Sequence, residues 1–325
     1  MKIDQSYLSS INEQRFNDIA LSFFQYQYEH NSLYRQYVQA LNIRTNNIKS
    51  IVQIPFLPIS FFKSHTVLCG NHQPSLYFES SGTTGDTHSR HYVLDPLLYQ
   101  QSLLAGFESF YGTLKNYAVV ALLPSYLERG NASLVHMAKE WMAASGHPKN
   151  GFYLNEWEAL AHTLQSLEEQ QQPTILIGVT FALLDFAEQY PIPLQHTIVM
   201  ETGGMKGRKK EITRTAVHDF LKKQWKLEAI HSEYGMTELL SQAYAKANGL
   251  FVPTATMKVW ARDINDPLSM YAAGNGLLNI VDLANIHSCS FIATEDIGRV
   301  FPDGSFEVLG RMDHSALRGC SLMAV

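Results

Sequence analysis

Apolar positions Phe16, Ile19, Phe23 and Tyr26 recur at spacings of three and four, which predicts an amphipathic helix near the start of the chain. The stretch "NSLYRQYVQALNI" predicts a second helix beginning near Asn31. Neither carries a catalytic set, so residues 1–50 read as a helical cap on a larger core. In "IVQIPFLPISFFKSH", Pro55 and Pro58 oppose a regular helix or a central strand, while Ser60 can cap a short turn. Short extended runs "SLYF" and "RHYVLD" then flank a glycine-rich loop. A helix is predicted over about 96–110, a strand at "NYAVVALLP" and a helix near 131–144.

The pattern then repeats in kind. "QQQPTILIGVTFALLDFAEQY" reads as strand, turn and helix, and "QHTIVMETGG" as strand and tight turn. "KEITRTAVHDFLKKQW" reads as helix, and "LEAIHSEYGMTELL" as strand, loop and helix. Strands separated by helices of this length imply a largely parallel sheet covered on both faces. Beyond about residue 250 the runs "GLLNIVDLANI", "SFIATEDIGRVF" and "SFEVLGRMD" shorten into a β-rich pattern. The expected organisation is a helical cap (1–50), an α/β core (51–250) and a β-rich subdomain with a cysteine-bearing tail (251–325).

Composition narrows the function classes. The 325 residues are 46% hydrophobic and 17% charged, which is globular and not disordered. The net charge of -5 and the lack of a long Lys/Arg run argue against a nucleic-acid partner or a lipid surface. Small anionic ligands remain open, because backbone N–H groups hold them whatever the total charge. Cys69, Cys289 and Cys320 are too few and scattered for a disulfide scaffold or a thiolate metal site. The start "MKIDQSYLSSINEQRFND" lacks an apolar signal core, and no window approaches 18 uncharged apolar residues. A cytoplasmic protein without membrane insertion is expected.

Four segments carry candidate chemistry. In "ESSGTTGDTHSRHY", Gly82 and Gly85 permit positive φ, and Ser80, Ser81, Thr83 and Thr84 add hydroxyls, a combination suited to an oxyanion nest. No GKS or GKT follows and the spacing is not GxGxxG, so taken alone it reads more readily as a surface turn than as a phosphate site. In "HSEYGMTELLSQAY", Tyr234 and Gly235 precede Thr237 and Glu238 at an expected helix start. Thr237 could bond a phosphate and Glu238 could bind magnesium, or both could simply suit a first helical turn.

In "TEDIGRVFPDGSFEVLGRMDH", Asp296, Arg311 and Asp313 surround a hairpin centred on "PDGS". A carboxylate there can clamp adjacent ribose hydroxyls and an arginine can hold a phosphate. In "ETGGMKGRKK", Gly203 and Gly204 fit a sharp turn at the carboxyl end of a parallel strand, where such sheets place ligands. Lys206, Arg208, Lys209 and Lys210 bring positive charge to that edge, or form the solvated start of the next helix. His231 reads as packing or as support for the same loop. Ser133 and His136 follow a capping segment, and no GxSxG elbow occurs.

Taken together and in order, "SSGTTG", "YGMTE" and "EDIG...DGSFEVLGRMD" resemble the phosphate loop, the Tyr-Gly-x-Thr-Glu motif and the ribose-binding aspartate with Gly-Arg-x-Asp of the adenylate-forming superfamily of acyl-CoA ligases and luciferases. The likeness covers roughly residues 55–320. Within it, "LLPSYLERGNASLVHM", "ETGGMKGRKKEITR", "HSEYGMTELLSQAY" and the tail "LRGCSLMAV" are similar to the LuxE-like acyl-protein synthetases, with phenylacetate-CoA ligases as cousins. The implied fold is α/β: mixed, mostly parallel sheets sandwiched by helices, with a small C-terminal β-rich subdomain. The mobile C-terminal domain of most members is expected to be absent, because the chain ends at Val325 soon after the hinge-like Asp313.

The resemblance implies ATP-dependent activation of a fatty acid to acyl-AMP, with Mg2+, then transfer to Cys320 and onward to a partner acyl-CoA reductase-like protein. Ser80, Ser81, Gly82, Thr83, Thr84 and Gly85 would hold the leaving phosphates, Thr237 the α-phosphate and Glu238 the metal. Asp296 would fix the ribose, with Arg311 near ribose or phosphate. Tyr234 would flank the adenine beside Gly235, Gly203 and Gly204, with Lys206 at the same edge. Arg318 lies two residues from Cys320, and a nearby cation favours the nucleophilic thiolate. Where wider-family loops run Pro-Lys-Gly, this chain has Thr87, His88 and Ser89, with Arg90 the nearest replacement for the lysine. Two alternatives remain: release of the acyl group to CoA or a carrier-protein thiol, and a non-catalytic nucleotide-binding partner of an acyl reductase complex.

Overall fold

The computed structural model describes residues 8, 11–74, 76–80, 88–124, 130–203 and 212–312. Helix α1 (Glu13–His30) starts where the Asn12 side chain accepts the Arg15 N–H, and α2 (Ser32–Ala40) starts where Asn31 accepts from Tyr34. Asn31 also donates through Nδ2 to the Ser288 carbonyl, so one residue ends a helix, begins the next and ties both to the far end of the chain. Pro58 lies in a two-residue strand, β1 (Leu57–Pro58), on the margin of the sheet, and α3 (Phe61–Ser64) is a single turn. Strands β2 (Leu76–Glu79) and β3 (Arg90–Val93) pair antiparallel as a hairpin apart from the main sheet.

The centre is a βα succession: α4 (Pro96–Tyr111), β4 (Ala118–Leu122), α5 (Ser133–Ser145), β5 (Gly151–Tyr153), α6 (Trp157–Glu169), β6 (Thr174–Gly178), α7 (Thr180–Gln189), β7 (Thr197–Glu201), α8 (Arg214–Trp225) and β8 (His231–Tyr234). Strands β4 and β6 are buried at every position, as strands covered on both faces must be. Strands β5, β4, β6, β7 and β8 run parallel in that spatial order. The remainder is antiparallel: β9 (Ala243–Ala245), β10 (Leu250–Pro253), β11 (Met257–Arg262), β12 (Met270–Tyr271), β13 (Gly274–Asp282), β14 (Phe291–Val300) and β15 (Phe306–Arg311). The sheet path continues from β8 through β9, β10, β15, β14, β13 and β11 to β12.

Two apolar clusters divide this sheet. One lies under the parallel strands and includes Phe107, Trp141, Leu176, Phe186 and Trp225. The other joins the N-terminal helices to the antiparallel strands through Phe24, Tyr34, Phe56 and Phe291. Gln27 is fully buried between them, with its amide donating to the carbonyls of Asn285 and Ile286 and its oxygen accepting from Ser290 N–H. Among the described residues no helix is long and apolar enough to cross a membrane.

The structure corrects two local expectations. The helix expected from "KEITRTAVHDFLKKQW" starts at Arg214, because Thr213 takes the capping position and accepts the Ala216 N–H. The helix expected after "YGMTE" does not form: Thr237 and Glu238 lie in a turn that leads into β9. Tertiary partners take the backbone groups a helix would use. The Thr237 carbonyl accepts from His91, the Glu238 carbonyl accepts from Asn285 Nδ2, and the N–H groups of Leu240 and Ser241 donate to Asp282.

Candidate active site

The β2–β3 hairpin narrows to a neck at Ser80 and Ser89. Ser80 N–H donates to the Ser89 carbonyl at 3.0 Å, and Ser89 N–H donates to Ser80 Oγ at 2.9 Å. His88 Nδ1 lies 2.8 Å from the Ser80 carbonyl. Ser81, Gly82, Thr83, Thr84 and Gly85 lie outside the described residues. Arg90, the possible replacement for the wider-family lysine, pairs with Glu79 along the hairpin at 3.0 Å and is largely exposed.

Glu238 faces that neck. Its residue is 6% exposed, and burial raises its pKa, opposed by a hydrogen bond from the Ser89 side chain and by the charge of Arg311. Asp296 adds a like charge in the same direction as burial. Asp296 and Arg311 are register partners on β14 and β15, with Arg311 Nε 3.7 Å from Asp296 Oδ1 and the same distance from Glu295 Oε2. Three separate parts of the chain thus bring Ser89, Glu238, Asp296 and Arg311 into one electrostatic neighbourhood. Among the described residues no group of three or more His, Cys, Asp and Glu forms a metal cage. One carboxylate such as Glu238 still suits Mg2+, which is commonly held by one or two carboxylates together with substrate phosphates.

Tyr234 supports this group. Its hydroxyl donates to Asp296 Oδ2 at 2.9 Å, and its ring packs against the stacked pair Phe251 and Phe306 at 5.7 and 5.2 Å. Only 8% of Tyr234 is exposed, so what it visibly does is aim the Asp296 carboxylate. Gly203, at φ +72°, closes the turn after β7 and donates its N–H to Glu201 Oε1 at 2.8 Å. Glu201 also accepts from Thr180 and Ser232. Burial pushes its pKa up, but hydrogen bonds and the charge of Arg214 outweigh that and hold it down at about 2. Gly204, Lys206, Asp313 and Cys320 lie outside the described residues.

Several supporting residues carry no signal in the motifs. His91 is buried on β3, 2.9 Å from the Thr237 carbonyl through Nδ1 and 2.9 Å from Asn285 Oδ1 through Nε2. Together with Asn285 and Asp282 it fixes the Thr237–Glu238 turn from outside. Only the adjacency of polar residues to apolar runs, in "RHYVLD" and "IVDLANI", could have drawn attention to them. His231 takes the packing role, with Nδ1 3.1 Å from the Tyr111 hydroxyl and its pKa pushed down to about 4 by burial and by Lys246. His136 lies 3.5 Å from Glu140 and stacks on Tyr99. Cys289 is buried and its thiol is pushed up to about 12, while Cys69, also buried, is raised as well.

Burial pushes the His91 pKa down to about 4 from an ordinary 6.5, against the pull of its two hydrogen bonds. A histidine kept neutral in the fold takes up its proton when the chain unfolds. Its stabilising effect is therefore complete above pH 6.5 and is lost as the pH falls towards about 4. Urea unfolding across that window should show a loss that is smaller by about 3 kcal/mol in His91→Gln than in wild type, His231 contributing to what remains in both. Parallel curves for the two proteins would contradict it.

No protein-family model matches the chain, and no curated protein sequence does. Solved structures do match in fold. A 2-hydroxyisobutyryl-CoA ligase in the postadenylation state superposes with a TM-score of 0.68 at 11% identity, over 94% of this chain and 69% of that one. A long-chain-fatty-acid-CoA ligase from Archaeoglobus fulgidus gives 0.52 at 14% identity, over 75% and 52% of the two chains. MatB from Rhodopseudomonas palustris gives 0.52 at 12%, over 72% and 47%, so the chain spans about half the length of these last two. The α/β architecture expected from the sequence, that of the adenylate-forming ligases, is the fold this chain has.

Proposed function

We propose that this protein uses ATP to activate a carboxylic acid as its acyl-adenylate. The observation that carries the proposal is the convergence of Ser89, at the neck of the "SSGTTG" hairpin, Asp296 and Arg311 on Glu238. Three ordered motifs, far apart in sequence, supply that one neighbourhood. When bound, Mg2+ would neutralise charge that develops on the phosphoryl oxygens. Glu238 would hold the metal, and Thr237 would donate to the α-phosphate. Asp296, aimed by Tyr234, would accept the ribose hydroxyls, with Arg311 beside it. Ser80 to Gly85 would hold the departing phosphates, and Gly203, Gly204 and Lys206 would border the nucleotide opposite them.

The finer reading is an acyl-protein synthetase. The acid would be a fatty acid and the acyl group would pass to the Cys320 thiolate, releasing AMP, and then to a reductase-like partner. The family likeness of the tail "LRGCSLMAV" supports it. A second reading, release to CoA or to a carrier thiol, is favoured by the CoA ligases among the matching structures. Acid-dependent ATP-pyrophosphate exchange tests the shared step, and its absence with every acid would sink the proposal. A hydroxylamine-sensitive acyl adduct that disappears in Cys320→Ser supports the synthetase. Thioester formed only with an external thiol, unchanged in that variant, supports the second reading.

A further inference from the structure

The face of β8 and β9 turned away from Tyr234 carries polar groups that the activation chemistry leaves unused. Glu233 and Tyr244 are cross-strand partners, and Gln242 lies two residues before Tyr244 on the same face. All three are more than nine-tenths buried. Gln242 Oε1 and the Tyr244 hydroxyl have no hydrogen-bond partner among the described residues, although buried polar atoms are almost always paired. The Glu233 carboxyl is pushed up to about 8 by burial and by the charge of Glu201, and no hydrogen bond opposes that rise. Aromatic rings, Phe110 and Tyr111 among them, wall Tyr244 on the side of α4.

This buried polar cluster adjoins the candidate active site through Gly235. A Cβ on Gly235 would lie 2.6 Å from Glu233 Oε1 and 3.9 Å from Gln242 Cγ. These groups therefore pack against Gly235, two residues before the turn that carries Thr237 and Glu238. A plain alkyl chain entering here would leave a carboxyl, an amide oxygen and a phenol buried and unpaired, which is the costly arrangement.

We infer that the buried polar cluster of Glu233, Gln242 and Tyr244 pairs with a hydrogen-bond-donating substituent, an amine or a hydroxyl, on the acid that the site activates. The inference rests on the activation reading and changes its substrate from an unsubstituted fatty acid to a substituted one. An ammonium group would donate hydrogen bonds to Gln242 Oε1 and to the Glu233 carboxyl, and its charge would favour the ionised form of the latter. A hydroxyl would donate to one and accept from the Tyr244 phenol.

The test compares acids matched in chain length, with and without amino or hydroxyl substituents. Binding is read by isothermal titration without ATP, and turnover by pyrophosphate exchange. Substituted acids should bind at least about tenfold more tightly, the scale of one good buried hydrogen bond. That advantage should collapse in Glu233→Leu and Gln242→Leu, while unsubstituted acids bind those variants as well or better. Tyr244→Phe, which removes a single oxygen, should weaken it too and guards against a variant that fails to fold. Tighter binding of unsubstituted acids by wild type, no binding of either set, or an advantage that survives all three variants would overturn the inference. Glu233-dependent binding without exchange would sink the activation reading and keep the ligand class. Exchange with unsubstituted acids alone would do the reverse.

Discussion

Glu238→Gln should lower acid-dependent pyrophosphate exchange by about a hundredfold or more, the scale on which a transition-state charge contact contributes, while leaving the urea midpoint of unfolding unchanged or higher. The two halves of this expectation come from the same observation. Burial is the main influence on the Glu238 carboxyl and raises its pKa, so an ionised side chain there opposes folding more than the Ser89 hydrogen bond and the Arg311 charge support it. Its unfolded counterpart ionises near pH 4.5 and the folded one only at higher pH, so stability falls as the pH rises from that point. Glutamine keeps the shape and removes that dependence. A group that costs stability and is retained facing the neck of the hairpin is suited to a cation that the protein meets only with its ligand. If Glu238 served only as a turn residue, the substitution would leave exchange untouched, and that result would contradict its assignment to the metal. The measurement pairs exchange rates at saturating ATP and acid with unfolding curves from pH about 5 to 8.

The periodic elements were legible because burial imposes them directly. "AVVAL" and "TILIG" lie buried on both faces and read as central parallel strands, and the helix predicted over about 96–110 forms as α4. The order of the three motifs announced which loops would meet. The turn after Tyr234 was not legible. Thr237, Glu238, Leu239 and Leu240 suit a helix, but their backbone groups are claimed by His91, Asn285 and Asp282, residues remote in sequence. Likewise the resemblance suggested Tyr234 as a wall for adenine, while its hydroxyl is spent on Asp296 and its ring on Phe251 and Phe306. The polarity of Glu233 was hidden for the opposite reason. Alternation within "HSEY" does not say which face meets water, and here both faces are covered. Glu233 pairs in register with Tyr244 of the next strand and is buried there, with no counterion among the described residues.

Asp282→Ala should cost about 4 kcal/mol of folding stability, the sum expected when several buried donors lose one acceptor. Asp282 is fully buried at the end of β13, where Oδ2 accepts from the N–H groups of Leu240 and Ser241 at 2.7 and 3.1 Å. Its Oδ1 accepts from Ala284 N–H at 3.0 Å and from the Ser241 hydroxyl. Burial raises the pKa of this carboxyl, and the four donors offset part of that cost. Removing the carboxylate strands the N–H groups of Leu240, Ser241 and Ala284 where water cannot replace it, while the Ser241 hydroxyl keeps Thr256 Oγ1 at 2.7 Å, and it frees the residues that follow Glu238 from the antiparallel half of the sheet. Asp282→Asn keeps one accepting oxygen but turns an NH2 group towards the remaining donors, so its cost should fall between wild type and alanine. Asp282 touches no ligand in the proposed scheme; it is a positioning residue, and Asn285 and His91 brace the same turn from the other side. Below its unfolding transition, Asp282→Asn should therefore lower the maximal exchange rate more than it raises the KM for ATP. The Asp296 carboxylate, held separately by Tyr234, would be left in place to bind the ribose. An unchanged urea midpoint in Asp282→Ala, or a defect in Asp282→Asn confined to KM, would show that the turn holds its shape without this carboxylate.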